Sequence, residues 1–441
     1  MGDIDYVDLA AIDDTLKFVY GNRIENQFPD EVTTYHQFSK SKRSPKGLGY
    51  EFGIRYARGQ GVGGALESGR LPDPVVGKFD KGRIKPAFIY GSIRLTGPAI
   101  YAAKGDIAAF VDGLSDAVDD IYQSILVDLN RMSCGDSHGL LGTLSEATTP
   151  GTGNIDDTWT CTFDNALGVS RLIPGMIVDF DEAGTVDITS SGSRILSVDP
   201  AAKTCVMEGN DGAYNASHPL GSTYQGTQTE TEIATAARMV RIGARAATWT
   251  TATAAREMMG LDGIYDDDTL LASFENIDSG DFPDWQGNQL GNSSVDRELT
   301  LNLMLQCLDL TRTKSGKKVN IIRMGLGQRR KYANLLIPDV RFAPTKLEGG
   351  YETLSFQGGD GSVKMVIDPS LYPGKIYFEP EGAIQKYEMA SLGWGNIDAG
   401  MHQRQGYDEY DRFIRIFTQL GTEQRNCLTC LKDLTEPSLY S

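Results

Sequence analysis

Three things are scarce in this chain of 441 residues: histidine, cysteine and long uninterrupted apolar sequence. The four histidines, His36, His138, His218 and His402, are isolated from one another, which leaves few means of general acid–base chemistry near neutral pH. Six cysteines, at 134, 161, 205, 307, 427 and 430, are too scattered to form a disulfide framework. No apolar run reaches the roughly 18 residues that a membrane helix needs. The start, MGDIDYVDLA, has no basic stretch ahead of an apolar core, and Tyr6 stands where a myristoylation signal needs Ser or Thr. These absences predict a chain made and kept in a cytosol-like compartment, with no membrane attachment.

Positive charge is short as well. Against 42 Lys and Arg stand 59 Asp and Glu, for a net charge of −17. Tight nucleic-acid binding rests largely on neutralising phosphates with Lys and Arg, so a protein whose main task is gripping DNA or RNA is excluded. Enclosing nucleic acid is not, because an acidic wall repels a packed polymer and keeps it from sticking. Length allows two or three domains, and 40% hydrophobic with 23% charged is ordinary for a globular chain.

What is present is unevenly spread. Between Lys40 and Lys104 there are 13 basic and 4 acidic residues, so this segment carries +9 and leaves −26 on the rest. Its apolar residues come in short alternating runs, Tyr50, Phe52, Ile54, Tyr56 and then Ile89, Ile93, Leu95. Gly59, Gly61, Gly63, Gly64, Gly69, Pro72, Pro74 and Gly77 separate them. The pattern predicts two strands joined by a wide loop, a ribbon that could extend about 60 to 80 Å. A two-stranded ribbon with no face to bury is marginal in water, so something outside its own fold must hold it. The simplest such thing is another copy of the same chain. A basic arm lying across an acidic neighbour is registered by complementary potential, and Arg55, Arg58, Arg70, Lys78, Lys81 and Arg83 are the candidate interface residues.

Directly after the ribbon, Ile107, Phe110, Val111, Leu114, Val118, Ile121, Ile125, Leu129 and Met132 recur at three- and four-residue steps. They predict one long amphipathic helix from Asp106 to Ser133, about 40 Å in length, with Asp106 as N-cap and Gly135 as stop. Burying that stripe is worth about 15 to 25 kcal/mol before entropy is subtracted.

A short helix, Leu9 to Tyr20, is expected in an otherwise irregular N-terminal arm. From Thr148 the composition turns to Thr, Gly, Ser and Asp. Alternating runs at Trp159–Phe163, Met176–Phe180, Arg194–Val198 and Thr204–Met207 predict a small antiparallel β-barrel or sandwich. Beyond it, expected elements are a short helix over 250–260, a helix from Ser294 to Thr313 with Leu301, Met304, Leu305 and Leu308 on one face, and a helix at 328–336. Strands are expected at 319–324, 363–367, 375–378, 384–389, 412–418 and 426–431. That alternation suits an α+β body.

Several clusters imitate chemistry. Gly59-Gln60-Gly61-Val62-Gly63-Gly64 has the letters of a dinucleotide-binding loop, but no helix follows and no βαβ unit surrounds it, so a flexible loop tip is preferred. Cys427 and Cys430 form a CxxC with no second pair for zinc and no thioredoxin-like context. Cys134 and His138 invite a nucleophile and base reading without a visible orienting group or oxyanion hole. Asp266, Asp267 and Asp268 could face a hard cation, yet EF-hand spacing is missing. Trp159, Trp249, Trp285 and Trp394 read as core or interface anchors. No catalytic, cofactor or metal residue is expected.

The order of certain segments resembles the major capsid proteins of tailed bacteriophages, with the Hong Kong 97-type fold. The segments are Gly63–Pro72 (GGALESGRLP) and Gly91–Ile100 (GSIRLTGPAI), then Leu129-Asn130-Arg131-Met132, Gly135-Asp136-Ser137-His138-Gly139 and Gly260-Leu261-Asp262-Gly263-Ile264. The resemblance implies an N-terminal arm (1–46), an extended loop overlapping a neighbour (47–103) and a peripheral domain with a spine helix (104–149). It further implies an axial domain (249–390) and a return to the peripheral domain (391–441), with 150–248 as an inserted β-rich domain. It implies hexameric and pentameric capsomers of an icosahedral shell around double-stranded DNA, assembled in a bacterial host cytoplasm with portal and separate scaffolding proteins, and room for a decoration or cement protein. An encapsulin-like compartment is the alternative in the same fold. A cysteine-dependent hydrolase or redox enzyme is the alternative in another class.

Overall fold

The structure is a computed structural model. It describes residues 32–59, 61–65, 67, 69–98, 113–146, 158–181, 193–207, 237–244, 256–271, 273–336, 355–357, 361–395, 402–403 and 406–437. By contact the chain divides into two compact units, one of residues 1–31, 90–125 and 394–414, the other of 32–89, 126–393 and 415–441. The expected helix Leu9–Tyr20 and the start of the long helix, with Ile107, Phe110 and Val111, lie outside the described residues.

In the smaller unit, Gly91 lets the strand Ala87–Thr96 lie close on the long helix. A Cβ at Gly91 would stand 2.6 Å from Ile125 Cδ1 and 3.0 Å from Ile121 Cγ1, so any larger residue would lever the two apart. On the same strand the Arg94 guanidinium pairs with Asp411 at 2.7 Å, and Tyr90 meets Phe413 edge to face. The Gly97 N–H donates to the Asp408 carbonyl at 2.8 Å.

The long helix, Gly113–Cys134, runs on into the larger unit, where Leu129, Met132 and Cys134 are buried, as the apolar spacing predicts. Asn130, Arg131 and Ser133 are buried beside them, so polar side chains are needed inside. The Asn130 side chain accepts from Tyr35 N–H at 2.9 Å and donates to Asp368 at 3.0 Å. The Arg131 guanidinium donates to Asp128 at 2.7 Å and Glu257 at 2.6 Å. Beyond the helix, Gly135 and Gly260 touch backbone to backbone, and Gly263 N–H reaches the Gly135 carbonyl at 3.4 Å. Two segments of the capsid resemblance thus meet in space, 125 residues apart in sequence.

Next comes a six-stranded antiparallel sheet in the order Leu140–Thr143, Arg238–Arg241, Ile177–Asp181, Ser193–Asp199, Thr204–Met207, Trp159–Thr162. The last strand returns to the first. Leu144 bridges Phe163, Ser145 N–H donates to the Thr162 carbonyl at 3.0 Å, and Asp164 N–H to the Thr143 carbonyl at 3.0 Å. A closed barrel results, with no free edge, filled by Leu141, Phe163, Val178, Phe180, Ile195, Met207 and Met239 among others. The four alternating runs read from sequence are four of its strands. The first, Leu140–Thr143, lies ahead of the composition change at Thr148 and went unread.

The remaining body is a mixed sheet in the order Asn288–Leu290, Thr429–Leu431, Ile376–Glu379, Ile321–Met324, Ser362–Ile367, Ser355–Gln357. Helix Leu301–Ser315 packs on it through Met304, Cys307 and Thr311. Thr300 caps its start by accepting from Leu303 N–H, and Gly316, at φ 72°, ends it. The start at Ser294 is therefore corrected to Leu301, while the expected face holds for Met304, Leu301 and Leu308, which pack on the core, and fails for Leu305, which is exposed while Cys307 and Thr311 join the buried stripe. Two further expectations fail. Of the expected helix 250–260, residues 250–255 lie outside the described residues and 256–260 are not helical; the helical turn Leu261–Ile264 follows Gly260 instead of ending there. The expected strand 426–431 is a 3-10 turn, Arg425–Cys427, followed by the short strand Thr429–Leu431.

Candidate assembly ribbon

The strand Tyr50–Ala57 pairs antiparallel with Lys78–Ile84, in register from Tyr50 opposite Ile84 to Ala57 opposite Lys78. The second strand is thus not Ile89–Leu95, the one that the alternation of apolar residues predicts. That segment instead joins Glu409–Gly421, and KFDKGRI shows no apolar alternation because only its root, Gly82 and Ile84, is buried. Past the paired strands the two legs stay adjacent. A Cβ at Gly59 would stand 2.6 Å from the Val75 carbonyl oxygen, one at Gly61 3.4 Å from Pro74 Cα, and one at Gly63 3.1 Å from the Pro72 ring. The alternating glycines that imitate a phosphate-binding loop are the closely opposed edge of this extended ribbon. At about 3.3 Å per residue, the leg from Tyr50 to Gly64 spans about 45 Å.

Among the described residues only the root of the ribbon is held by its own chain. Tyr50 stacks on Tyr387 with centroids 5.5 Å apart, Phe52 sits 5.9 Å from Trp285, and Tyr56 lies 4.7 Å from Phe282. Beneath them Arg425, fully buried, donates to the carbonyls of Ile264 at 2.8 Å and Gly263 at 3.0 Å and lies 4.5 Å under the Phe274 ring. Burial lowers its pKa to about 10, still cationic at neutral pH. This arginine ties together the loop on which the ribbon stands, a role sequence could not show because its partners lie some 160 residues away. Beyond Tyr56 the described residues offer no hydrogen bond, ion pair or ring contact from ribbon to body.

The six candidate residues divide into three groups. Arg70 is paired with Asp73 at 2.7 Å, and the Arg83 Nε donates to Glu51 at 3.0 Å, so both are neutralised within the ribbon. Arg55 lies over the Phe79 ring at 4.8 Å. Arg58, Lys78 and Lys81 are exposed and have no ion pair among the described residues. Charge and apolarity also divide along its length. From Arg58 to Gly77 two basic residues balance two acidic ones, leaving the whole excess on the stem and its flanks. The neutral tip exposes Val62 (94%), Leu71 (78%), Val75 (55%) and Val76 (83%). Four large apolar side chains held out on a narrow arm are what a docking element looks like before it docks.

The clusters that imitate enzyme chemistry are buried or engaged in turns. Cys134 is buried, and desolvation together with the nearby Asp368 pushes its thiol up to about 12, so it is no thiolate at neutral pH. His138 faces Asp136 at 3.3 Å, both buried. Cys427 and Cys430 are buried thiols raised by desolvation to about 11 and about 12. The Asp266 carboxylate accepts from the N–H groups of Asp268, Leu270 and Leu271 and from the Thr269 hydroxyl, which uses its oxygens to shape a turn. Among the described residues no group of three or more His, Cys, Asp or Glu could hold a metal ion, and no helix is long and apolar enough to cross a membrane.

No model of a known protein family and no curated relative matches this sequence. Solved structures do. The cyanophage A-1(L) capsid asymmetric unit is similar over 96% of this chain and 98% of its own, with TM-score 0.57 and 12% identity. The capsid of an empty GTA particle is similar over 98% and 100%, with TM-score 0.53 and 6% identity. The capsid of the native GTA particle follows at TM-score 0.50, 8% identity and the same coverage, 98% and 100%. With identities this low the likeness is one of architecture, and it runs the length of both chains. The chain has the Hong Kong 97-type fold of tailed-bacteriophage capsid proteins.

Proposed function

We propose that this chain is the major capsid protein of a tailed bacteriophage, and that it works by interlocking with copies of itself around a double-stranded DNA genome. The observation that carries this reading is the ribbon: an arm anchored only at its root, with an exposed apolar tip and a basic stem, in a chain whose fold matches capsid structures end to end. The arm of one subunit lies across the acidic body of the next. A head-to-tail contact of this kind closes into rings, here hexameric and pentameric capsomers, and the rings close into an icosahedral shell. Each contact is modest and repetition makes the shell durable.

In this division of labour the stem cations Arg58, Lys78 and Lys81 steer and register the approach, while Val62, Leu71, Val75 and Val76 supply the burial. The acidic balance of the body suits containment of DNA without sequence-specific binding. Assembly in the host cytoplasm on a separate scaffold, with a portal at one vertex, completes the proposal. Negative-stain microscopy and light scattering of concentrated protein, with and without scaffold, test the reading. Rings or shells are expected, and a strict monomer under every condition overturns it.

A further inference from the structure

Under the root of the ribbon sits a carboxyl that the assembly contact does not use. Strands Ser273–Phe274 and Ile277–Asp278 form a hairpin whose two-residue turn is Glu275-Asn276, at φ 53° and 66°. A turn with both central residues left-handed favours Asn and Gly. Asn276 fits and Glu275 does not, so Glu275 holds a conformation that costs free energy unless its side chain is needed where it points. It points inward. One carboxyl oxygen accepts the Thr422 N–H at 3.0 Å, and the other is buried with no hydrogen-bond partner among the described residues. The backbone carbonyl of the same residue accepts the Arg83 N–H of the ribbon at 2.7 Å. One residue therefore joins the ribbon's second strand to the corner at Gly421-Thr422.

We propose that Glu275 is a proton-operated latch: neutral, it seats the ribbon root on the body, and its ionisation frees the root to swing. The groups that face it support this. From the corner come Glu423, whose charge opposes ionisation, and Arg425, whose donors are already taken by the carbonyls of Ile264, Gly263 and Trp285 and by the Ser279 hydroxyl. From the ribbon comes Arg83, its guanidinium engaged with Glu51, and from the strand Gln385–Trp394 comes Tyr387, itself kept neutral by burial. Burial is the largest influence on Glu275 and holds its pKa well above the usual carboxylate value.

The sign of the effect follows. A seated, neutral Glu275 binds a proton that a released, solvated one gives up above about pH 4.3. Seating is therefore at full strength below that value and weakens as pH rises, by up to about tenfold per unit, until the raised pKa of the seated state is passed.

Hydrogen–deuterium exchange on unassembled subunits tests the latch, with exchange times scaled by the intrinsic rate at each pH between about 4.5 and 8.5. Wild-type amides in Tyr50–Ala57 and Lys78–Ile84 should lose protection by about tenfold or more across this range, while barrel amides do not. Glu275→Gln should stay protected throughout, and Glu275→Asn, neutral and at home in the left-handed turn, should do the same if the glutamine variant fails to fold. A wild-type ribbon whose scaled protection does not change with pH overturns the proposal, as does an unaltered slope in the folded neutral variants. Because the measurement is made without assembly, its failure would leave the capsid reading standing.

Discussion

Replacing Val62, Leu71, Val75 and Val76 together with serine separates folding from docking. These side chains are 94%, 78%, 55% and 83% exposed in the subunit, so the folded chain gains little from them. Exposed substitutions of this kind usually change stability by less than about 0.5 kcal/mol each, and the melting temperature of so large a chain should move by no more than a few degrees. Docking is different. Full burial of such a side chain is worth about 1.5 to 3 kcal/mol, and a neighbour that covers half of each would draw about 3 to 6 kcal/mol from the four. At 1.4 kcal/mol per factor of ten, each contact weakens about 10²- to 10⁴-fold. In the proposed ring every subunit gives one such contact and receives one, so the loss would repeat around the shell. Sedimentation velocity and negative-stain microscopy should find soluble, folded subunits and few or no particles. Particles of normal size and yield from the quadruple variant would refute the assignment of burial to the tip, and a variant that unfolds would show that the tip packs on its own chain.

Reversing Arg58, Lys78 and Lys81 to Glu should slow assembly most at low salt, with the difference from wild type shrinking as salt screens both, read by light scattering over time. Equal rates at low salt would exclude steering by the stem. Reversal of Arg70 or Arg83 is a poorer probe, since each already has an acidic partner inside the ribbon. Iodoacetamide at pH 8 should leave all six cysteines unmodified in the folded protein and reach all six in denaturant, because every one is buried. Rapid labelling of Cys134 in the native state would restore it as a candidate nucleophile.

Much of this architecture could be read from residue order, and the parts that could not share one cause. The barrel strands at 159–162, 177–181, 193–199 and 204–207 alternate because one face of each is buried in a closed core. The visible part of the long helix obeys its apolar spacing for the same reason. Lys78–Ile84 escapes because it lies in a ribbon with hardly any core to face, and periodicity records burial, not hydrogen bonding. The alternation of Gly59, Gly61 and Gly63 was visible but ambiguous until their opposite numbers, Val75, Pro74 and Pro72, were known. The charge argument was half legible. Counting charges located the basic arm, but only register reveals that Glu51 cancels Arg83, whereas Asp73 stands three residues from Arg70 in plain sight. Arg425 and Glu275 left no signal at all, since their work depends on partners far away along the chain.

The strands through which the chain enters and leaves the barrel, Leu140–Thr143 and Arg238–Arg241, are immediate neighbours, with Met239 opposite Gly142 and Arg241 N–H donating to the Gly139 carbonyl at 3.0 Å. The chain therefore enters and leaves the module side by side, and between these strands Arg171 adds a clasp to the body, donating to the Ser370 carbonyl and lying 4.6 Å over the Tyr372 ring. Simple excision would bare Leu141 and Met239, which are buried in the barrel, so the opening suits exchange and not deletion: a foreign domain that supplies its own cover for these two strands could be plugged into the same position of each chain.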